Sequence, residues 1–281
     1  MQTLVAVLMK TEAYFRTRGI STPRLDAELI MSSVLKISRM QLYLTFDQPL
    51  SESDLVPMRA MVRRRGRREP LAWILGSRGF YNEDFIVHPG VLVPRPDTEE
   101  LVDAALEQLA EDAAAVVVDI GCGTGCVGLT LALERPELSV YSLDLSAEAL
   151  ACTQANVEKF SLGERVTVLE SDLLSALPEG VEVDLVVSNP PYIPSADLGG
   201  LAPEVATHEP GLALDGGEDG LDVYRLLIPA AAKRARQGVL VEVGAGQAEA
   251  VAVLFEAAGL VDVRTRQDLG GHQRVVMGRC P

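Results

Sequence analysis

The stretch richest in chemistry is Val183-Asp-Leu-Val-Val-Ser-Asn189-Pro190-Pro191-Tyr192. An apolar run leads straight into Asn-Pro-Pro-Tyr. Proline cannot continue a central strand, so a turn begins there. Pro191 pushes Pro190 towards an extended backbone, and neither ring carries an N–H. The loop is therefore rich in acceptors, namely the Asn189 side-chain oxygen and the Pro190 carbonyl, and Tyr192 adds a flat apolar face. That set suits a planar –NH2 on an unsaturated carbon, with one acceptor for each N–H. The nitrogen lone pair of such a group is delocalised and nucleophilically poor. Holding both hydrogens favours pyramidalisation, and positive charge growing on nitrogen is stabilised more in the transition state than in the ground state. Asn189, Pro190 and Tyr192 are the candidate catalytic residues. With Pro191 they form the candidate substrate site.

A second constellation lies upstream, in Asp119-Ile-Gly121-Cys122-Gly123-Thr124-Gly125-Cys126. Glycines after an apolar run let the backbone turn tightly and let a ligand approach the peptide groups. Gly123 to Gly128 fits G-x-G-x-x-G, and Asp144 closes the next apolar run where an acid would hold a ribose hydroxyl. A nicotinamide dinucleotide fits this much. S-adenosylmethionine fits it too, with its ribose diol on Asp144 and its ammonium tail on Asp119. Asp172, in Ser171-Asp172-Leu173-Leu174, follows a third apolar run and suits the adenine amino group, with Leu173 lining the ring. Only the sulfonium donor gives Asn189-Pro-Pro-Tyr192 a role, because it supplies the electrophilic methyl that a held –NH2 needs. In-line approach at ~3 Å is then mostly a positioning problem.

The elements that must position these groups are legible as periods. Residues 4–18 are amphipathic and stop at Gly19. Ser21-Thr22-Pro23 is a cap with proline at the first helical position, opening a helix to about Lys36. Ser51 to Asp54 opens another, which runs into the arginine-rich stretch 63–68. This is a small helical bundle. Residues 78–81 and 84–87 flank Asn82-Glu83 as a hairpin, and a helix begins with Asp97 or Thr98 as its cap. From residue 115 onward the pattern becomes strand, loop, helix. Apolar runs at 115–120, 139–143, 166–169, 183–187 and 239–243 are separated mostly by helical periods at 127–134, 147–159, 221–235 and 248–258. Near-continuous apolar runs read as buried parallel strands. The last two runs, 261–265 and 274–277, have no helix between them and should pair antiparallel. The expected class is α/β, a doubly wound, mostly parallel seven-stranded sheet. The expected division is a helical domain over 1–75, a hairpin connector over 76–94 and the sheet domain over 95–281.

The chain of 281 residues has a formal net charge of −15. Residues 1–80 carry 13 Lys and Arg against 7 Asp and Glu, and the remainder carries 12 against 33. An acidic sheet domain makes a poor clamp for nucleic acid, which needs clustered cations. Four scattered cysteines and three scattered histidines fit a reducing cytoplasm and leave no ligand spacing for a metal. The N-terminus reads as the first helix rather than a signal peptide, and no apolar run reaches the ~18–20 residues needed to span a membrane.

Taken with Leu92-Val-Pro94-Arg95-Pro96-Asp97-Thr98-Glu99, Glu209-Pro-Gly-Leu-Ala-Leu-Asp-Gly-Gly-Glu-Asp-Gly-Leu221 and Asp268-Leu-Gly-Gly-His-Gln-Arg274, these motifs resemble the peptide-chain release factor glutamine methyltransferases, the PrmC/HemK family. The resemblance covers essentially the whole chain. It implies methyl transfer from S-adenosyl-L-methionine, leaving S-adenosyl-L-homocysteine, to the side-chain N5 of the glutamine in the Gly-Gly-Gln loop of class-I release factors. By matching position, Asp119, Gly121, Cys122, Gly123, Thr124, Gly125, Asp144, Asp172, Leu173 and Asn189 would hold the cofactor. Residues 189–192 would hold the amide, and the helical domain would grip the release factor. The implied enzyme is a cytoplasmic monomer with no membrane or direct nucleic-acid partner. Cys122 and Cys126 stand where small or hydroxyl residues are also common, and they are expected to make the loop oxidant-sensitive. The acidic segment 209–222 is expected either to fold over the site, to meet a basic partner, or to be a solvated turn. The arginine run is expected to be an exposed helix face. The nearest alternative is an adenine-N6 DNA methyltransferase, which duplex binding at low salt would reveal. The others are an NAD-dependent oxidoreductase and a catalytically silent binding module.

Overall fold

A computed structural model describes residues 2–111 and 114–281. Two compact units emerge, one of residues 1–77 with 202–208, the other of 78–201 with 209–281. Among the described residues, no helix is long and apolar enough to cross a membrane.

The first unit is a helical bundle of α1 (Leu4–Thr17), α2 (Pro23–Leu35), α3 (Arg39–Leu44), α4 (Glu52–Gly66) and α5 (Leu71–Leu75). The two-residue strands β1 (Gln2–Thr3) and β2 (Pro49–Leu50) pair antiparallel. Leu4, Leu8, Thr11 and Phe15 recur at helical spacing and form the buried stripe of α1. Ile30, Met31, Leu42, Leu55 and Met58 pack in the same core. Pro23 opens α2 as expected, but the Thr22 hydroxyl donates to Asp26 Oδ1 at 2.7 Å instead of accepting from a helix N–H. At α4 the expected start is realised as a reciprocal cap between Ser51 and Asp54.

The arginine run departs from an exposed helix face. Arg65 is 5% exposed. Its Nε donates to Asp26 Oδ2 at 2.6 Å and its Nη2 to Glu204 Oε1 at 2.8 Å. Arg68 reaches the other Glu204 oxygen at 2.6 Å. Glu204 lies on a short helix, Pro203–His208 (α9 in chain order), that belongs to this unit although it is remote in sequence. Removing one partner of a buried ion pair leaves the other charge uncompensated, typically at about 3 kcal/mol or more. Arg65→Leu is therefore expected to lower the stability of this unit by about 3 kcal/mol. Urea unfolding followed by Trp73, the single tryptophan and buried in the same unit, measures it. A loss under about 0.5 kcal/mol, the range of an ordinary surface substitution, would show that the pairs contribute little.

The hairpin of β3 (Ser77–Phe80) and β4 (Glu83–Ile86) comes next, one residue earlier than the sequence suggests, and the second unit begins within β3 at Arg78. Tyr81 takes a positive φ of 55° in its turn. Then come α6 (Glu99–Gln108), β5 (Val116–Ile120), α7 (Cys126–Glu134), β6 (Ser139–Asp144), α8 (Ala147–Lys159), β7 (Val166–Glu170) and β8 (Val183–Ser188). After the 209–221 segment follow α10 (Asp222–Ala232), β9 (Ala235–Glu242), α11 (Ala248–Ala257), β10 (Val261–Gln267) and β11 (Gln273–Arg279). The seven-stranded order is β10-β11-β9-β8-β5-β6-β7. Strands β9, β8, β5, β6 and β7 run parallel, and β11 is antiparallel to both β9 and β10. β9 starts four residues before its apolar run, because Ala235-Arg-Gln-Gly238 pairs with β8 without contributing an apolar signature.

Alternation along the strands divides the core into two layers. Val117, Leu185 and Val187 share one cluster with residues of α6, α7 and α8. Val118, Val186 and Val241 share the other with residues of α10 and α11. The chain winds from β5 out to β7, then crosses back to β8 on the other side of β5. That reversal is the switch point, where the carboxyl ends of adjacent strands leave a crevice.

Candidate functional site

The loops after β5, β6 and β8 meet at this crevice in a cleft. Gly121, Gly123 and Gly125 have φ of 70°, 58° and 78°, a region that L side chains rarely adopt. A Cβ at Gly121 or Gly123 would meet open space, so these two also leave room for a ligand. Gly125 serves packing instead. Its Cβ would lie 2.9 Å from Leu129 Cδ1 and 3.0 Å from Thr153 Cγ2. Gly125→Ala therefore combines a left-handed backbone with overpacking, and is expected to cost about 3 kcal/mol. Thermal unfolding checks this, and an unchanged midpoint would mean that the loop can move aside.

The two loop carboxylates are set differently. Asp144 accepts from the N–H of Gly123 and of Ser146, both at 2.9 Å, and so ties the glycine loop to the end of β6. Asp119 is buried, with Oδ2 accepting from the Gly128 N–H at 2.9 Å. Burial pushes its pKa up to about 7, with the Asp144 charge adding to the rise and the Gly128 N–H opposing it. Among the described residues, no cation pairs with Asp119. From α8, the Thr153 hydroxyl donates to the Gly123 carbonyl at 3.0 Å, and the Asn156 amide donates to Thr124 at 2.9 Å. Neither residue carries a motif, and the sequence reading assigned neither a role.

At the end of β8, Asn189 Nδ2 donates to Thr98 Oγ1 at 3.2 Å. Thr98 was expected to cap a helix, but its side chain makes no cap bond. The hydroxyl is instead held by Asn189, which ties back the –NH2 end of that amide and leaves Oδ1 as its acceptor end. Pro190 is buried and Pro191 half-buried. The Tyr192 hydroxyl donates to Glu242 Oε1 at 3.4 Å.

Two further walls come from residues 91–98 and from the segment that begins at Glu209. Val91, Pro94, Arg95 and Thr98 line one side, and Pro210, Leu212 and Ala213 another. Arg95 Nη2 reaches both oxygens of Glu209, at 2.8 and 2.7 Å, and the Glu209 side chain is buried. Of the segment's acids, Glu209 alone is buried at the site, while Asp215, Glu218, Asp219 and Asp222 stay exposed to solvent. Asp215 accepts from the Ser195 hydroxyl and the Gly217 N–H, while Asp219 and Asp222 pair with Arg225.

Of the residues singled out in the sequence, the cleft brings together Asp119, Gly121, Cys122, Gly123, Thr124, Asp144, Asn189 and Pro191. Gly125, Pro190 and Tyr192 lie outside its lining, next to residues that do line it. Asp172 is exposed beyond the end of β7, and Leu173 packs partly into the core at a φ of 49°. Burial drives the Cys126 thiol to about 12 and the Cys122 thiol well above its ordinary value. Both stay protonated at neutral pH, which argues against the expected oxidant sensitivity.

The sheet order, the glycine loop with its two acids and the Asn-Pro-Pro-Tyr turn define a methyltransferase. Residues 6–76 match a family model described as the PrmC N-terminal domain, and 93–200 match one described as the methyltransferase small domain. A release factor glutamine methyltransferase of Geobacter sulfurreducens is 45% identical over 99% of this chain and 96% of its own length. One from Caulobacter vibrioides is 39% identical over 98% and 96%. A solved Thermus thermophilus 16S rRNA methyltransferase, in complex with AdoMet and guanosine, shares the fold. It is 20% identical over 73% of this chain and 50% of its own, with a TM-score of 0.53. The chain belongs to the release factor glutamine methyltransferase family, and is a protein-glutamine methyltransferase dependent on S-adenosylmethionine.

Proposed function

We propose that this enzyme methylates the side-chain N5 of the glutamine in the Gly-Gly-Gln loop of class-I release factors, acting as a cytoplasmic monomer. The observation that carries the reading is the pairing, in one cleft, of Asp119 and Asp144 with an Asn189 amide whose –NH2 is tied back to Thr98. The residues present fit the cofactor. Open space over Gly121 and Gly123 leaves room for it, Asp144 suits a ribose diol, and the uncompensated Asp119 carboxylate suits an ammonium group. Asp172 and Leu173 take the adenine edge in this proposal. S-adenosylmethionine, when bound, supplies a methyl on a sulfonium and leaves as S-adenosyl-L-homocysteine.

Asn189 Oδ1 and the Pro190 carbonyl hold the two N–H groups of the substrate amide, and Pro191 and Tyr192 complete its site. As the N–C bond forms and the C–S bond breaks, charge grows on nitrogen where the two acceptors stabilise it. The methylated nitrogen is acidic, and its proton leaves to solvent. The helical unit grips the body of the release factor. The acidic balance of residues 81–281 disfavours a nucleic-acid duplex as direct partner.

Mass spectrometry of a purified release factor, incubated with this protein and S-adenosylmethionine, tests the proposal. One added methyl on the Gly-Gly-Gln glutamine is expected. A methyl on any other residue, or none, would overturn it.

A further inference from the structure

Tyr192 is gripped at both ends by side chains that the sequence motifs do not include. Its hydroxyl donates to Glu242 Oε1 at 3.4 Å, at the end of β9. Its carbonyl accepts from Gln247 Nε2 at 2.9 Å, just before α11. Gln247 is itself fixed, because its Oε1 accepts from the Gly244 N–H at 3.0 Å and its Nε2 also reaches the Gly220 carbonyl at 3.4 Å. The Glu242 main chain is anchored by Tyr224, whose buried hydroxyl donates to the Glu242 carbonyl at 2.7 Å.

Three glycines close around the same tyrosine. A Cβ on Gly220 would come 2.4 Å from the Tyr192 carbonyl oxygen, and one on Gly216 would come 2.8 Å from the Tyr192 Cα. One on Gly244 would lie 3.0 Å from the ring Cδ2. Backbone from the 209–221 segment and from the β9 end thus presses on Tyr192 at distances that only glycine allows. Ile193 N–H donating to Leu214, and Gly216 N–H donating to Ile193, continue that contact. This is a physical reason for Gly216 and Gly220 of Asp215-Gly-Gly-Glu-Asp-Gly220, which sequence alone left without a job.

A carboxyl buried at the end of a central strand is costly unless something uses it. Glu242 is 1% exposed, and its Oε2 is buried without a hydrogen-bond partner. Replacing it with an apolar side chain would relieve that cost, so stability alone does not explain a carboxyl there. Its contacts with the Tyr192 hydroxyl and with the side chain of Thr98, the partner of Asn189, do.

We propose that Glu242 and Gln247 are positioning residues for the methyl transfer, fixing Tyr192 from its hydroxyl and from its carbonyl. The proposal rests on the reading of residues 189–192 as the amide site. Neither residue touches the substrate; Gln247 acts through Tyr192, and Glu242 through Tyr192 and through Thr98. Loss of either grip lets the ring and the adjoining turn drift. Reactions limited by near-attack geometry are sensitive to drifts of under an ångström.

The test is a set of single and paired variants, assayed on a release factor with S-adenosylmethionine. Glu242→Leu and Gln247→Leu are each expected to lower kcat by roughly tenfold, with KM for the release factor moving less than about threefold. Glu242→Gln keeps an oxygen for the Tyr192 hydroxyl and is expected to restore most of the rate. In the Tyr192→Phe background, Glu242→Leu is expected to add clearly less than it costs in the parent, because the hydroxyl is gone and the Thr98 contact is what is left to lose. Calorimetry should find unchanged affinity for S-adenosylmethionine in all of these variants. Multiplicative losses in the Tyr192→Phe background, or full activity in both leucine variants, would overturn the proposal. If Glu242→Leu does not fold, Gln247→Leu and Glu242→Gln still decide, through the split between kcat and KM. An Asn189→Ala variant separates the two levels. If it too is fully active, the amide-site reading has failed. If it is inactive while the leucine variants are not, only the positioning role has failed.

Discussion

Asn189→Ala is expected to lower kcat for release factor methylation by roughly 10²- to 10³-fold, the usual effect of deleting one preorganised hydrogen-bond partner of a developing charge. The magnitude follows from what Oδ1 does. Its hydrogen bond to the substrate nitrogen strengthens as that nitrogen becomes cationic, so the loss falls on the transition state more than on binding. Affinity for S-adenosylmethionine should change far less, since Asp119 and Asp144 and the glycine loop remain. The fold should persist as well, because Asn189 is only half-buried and its one recorded bond, to Thr98, is long at 3.2 Å. Initial rates with labelled cofactor, alongside calorimetry for the cofactor, measure both halves. A variant within threefold of the parent rate would remove Asn189 from the chemistry. A variant that no longer binds cofactor would move its role from the amide to the donor.

How much of this site was legible in the sequence depends on what each residue's signal is. Asp119, Gly123 and Asp144 announce themselves because a glycine-rich turn between an apolar run and a helix has few other causes. The parallel strands are legible for a similar reason, since burial on both faces forbids polar interruptions. The reversed strand β11 could be inferred because no helical period separates it from β10. Thr98, one of two cap candidates, does stand at the N-cap of α6, but its hydroxyl makes no cap bond. A threonine before a helix usually makes one, and nothing local reveals that its hydroxyl is taken by a residue 91 positions away. Asn156, Glu242 and Gln247 gave no signal. Each sits in an ordinary helix or strand context, and its role exists only once the sheet has brought distant loops together. Glu204 is the extreme case. Its partners Arg65 and Arg68 lie 139 and 136 residues away, so the arginine run looked like a solvated face. Local chemistry and periodicity are written in the sequence, while long-range hydrogen-bond partners are not.

Asp119 makes cofactor binding depend on pH in a direction that can be worked out. Burial raises its carboxyl to about 7 in the free protein, while the ordinary value is 3.8. A raised acid contributes stability that is fully present below its unfolded value and is lost as pH rises through about 7. The free protein should therefore lose stability between about pH 4 and pH 7 from this group. An ammonium placed beside the carboxylate reverses the preference, because it favours the ionised form. Binding then requires Asp119 to give up its proton, and below about pH 6 each further unit should weaken S-adenosylmethionine roughly tenfold. The Cys122 and Cys126 thiols are pushed above their ordinary range and stay protonated throughout this span. Glu242, which burial also pushes up to about 7, titrates over the same range, so the asparagine variant is what assigns the dependence to Asp119. Asp119→Asn should abolish it, giving an affinity that is weaker at pH 7 but flat down to pH 5. Calorimetry at pH 6 in two buffers of different ionisation enthalpy counts the protons directly. The parent protein should release close to one per cofactor bound and the asparagine variant none. An unchanged count in the variant would assign the proton to another group and leave the ammonium without its partner.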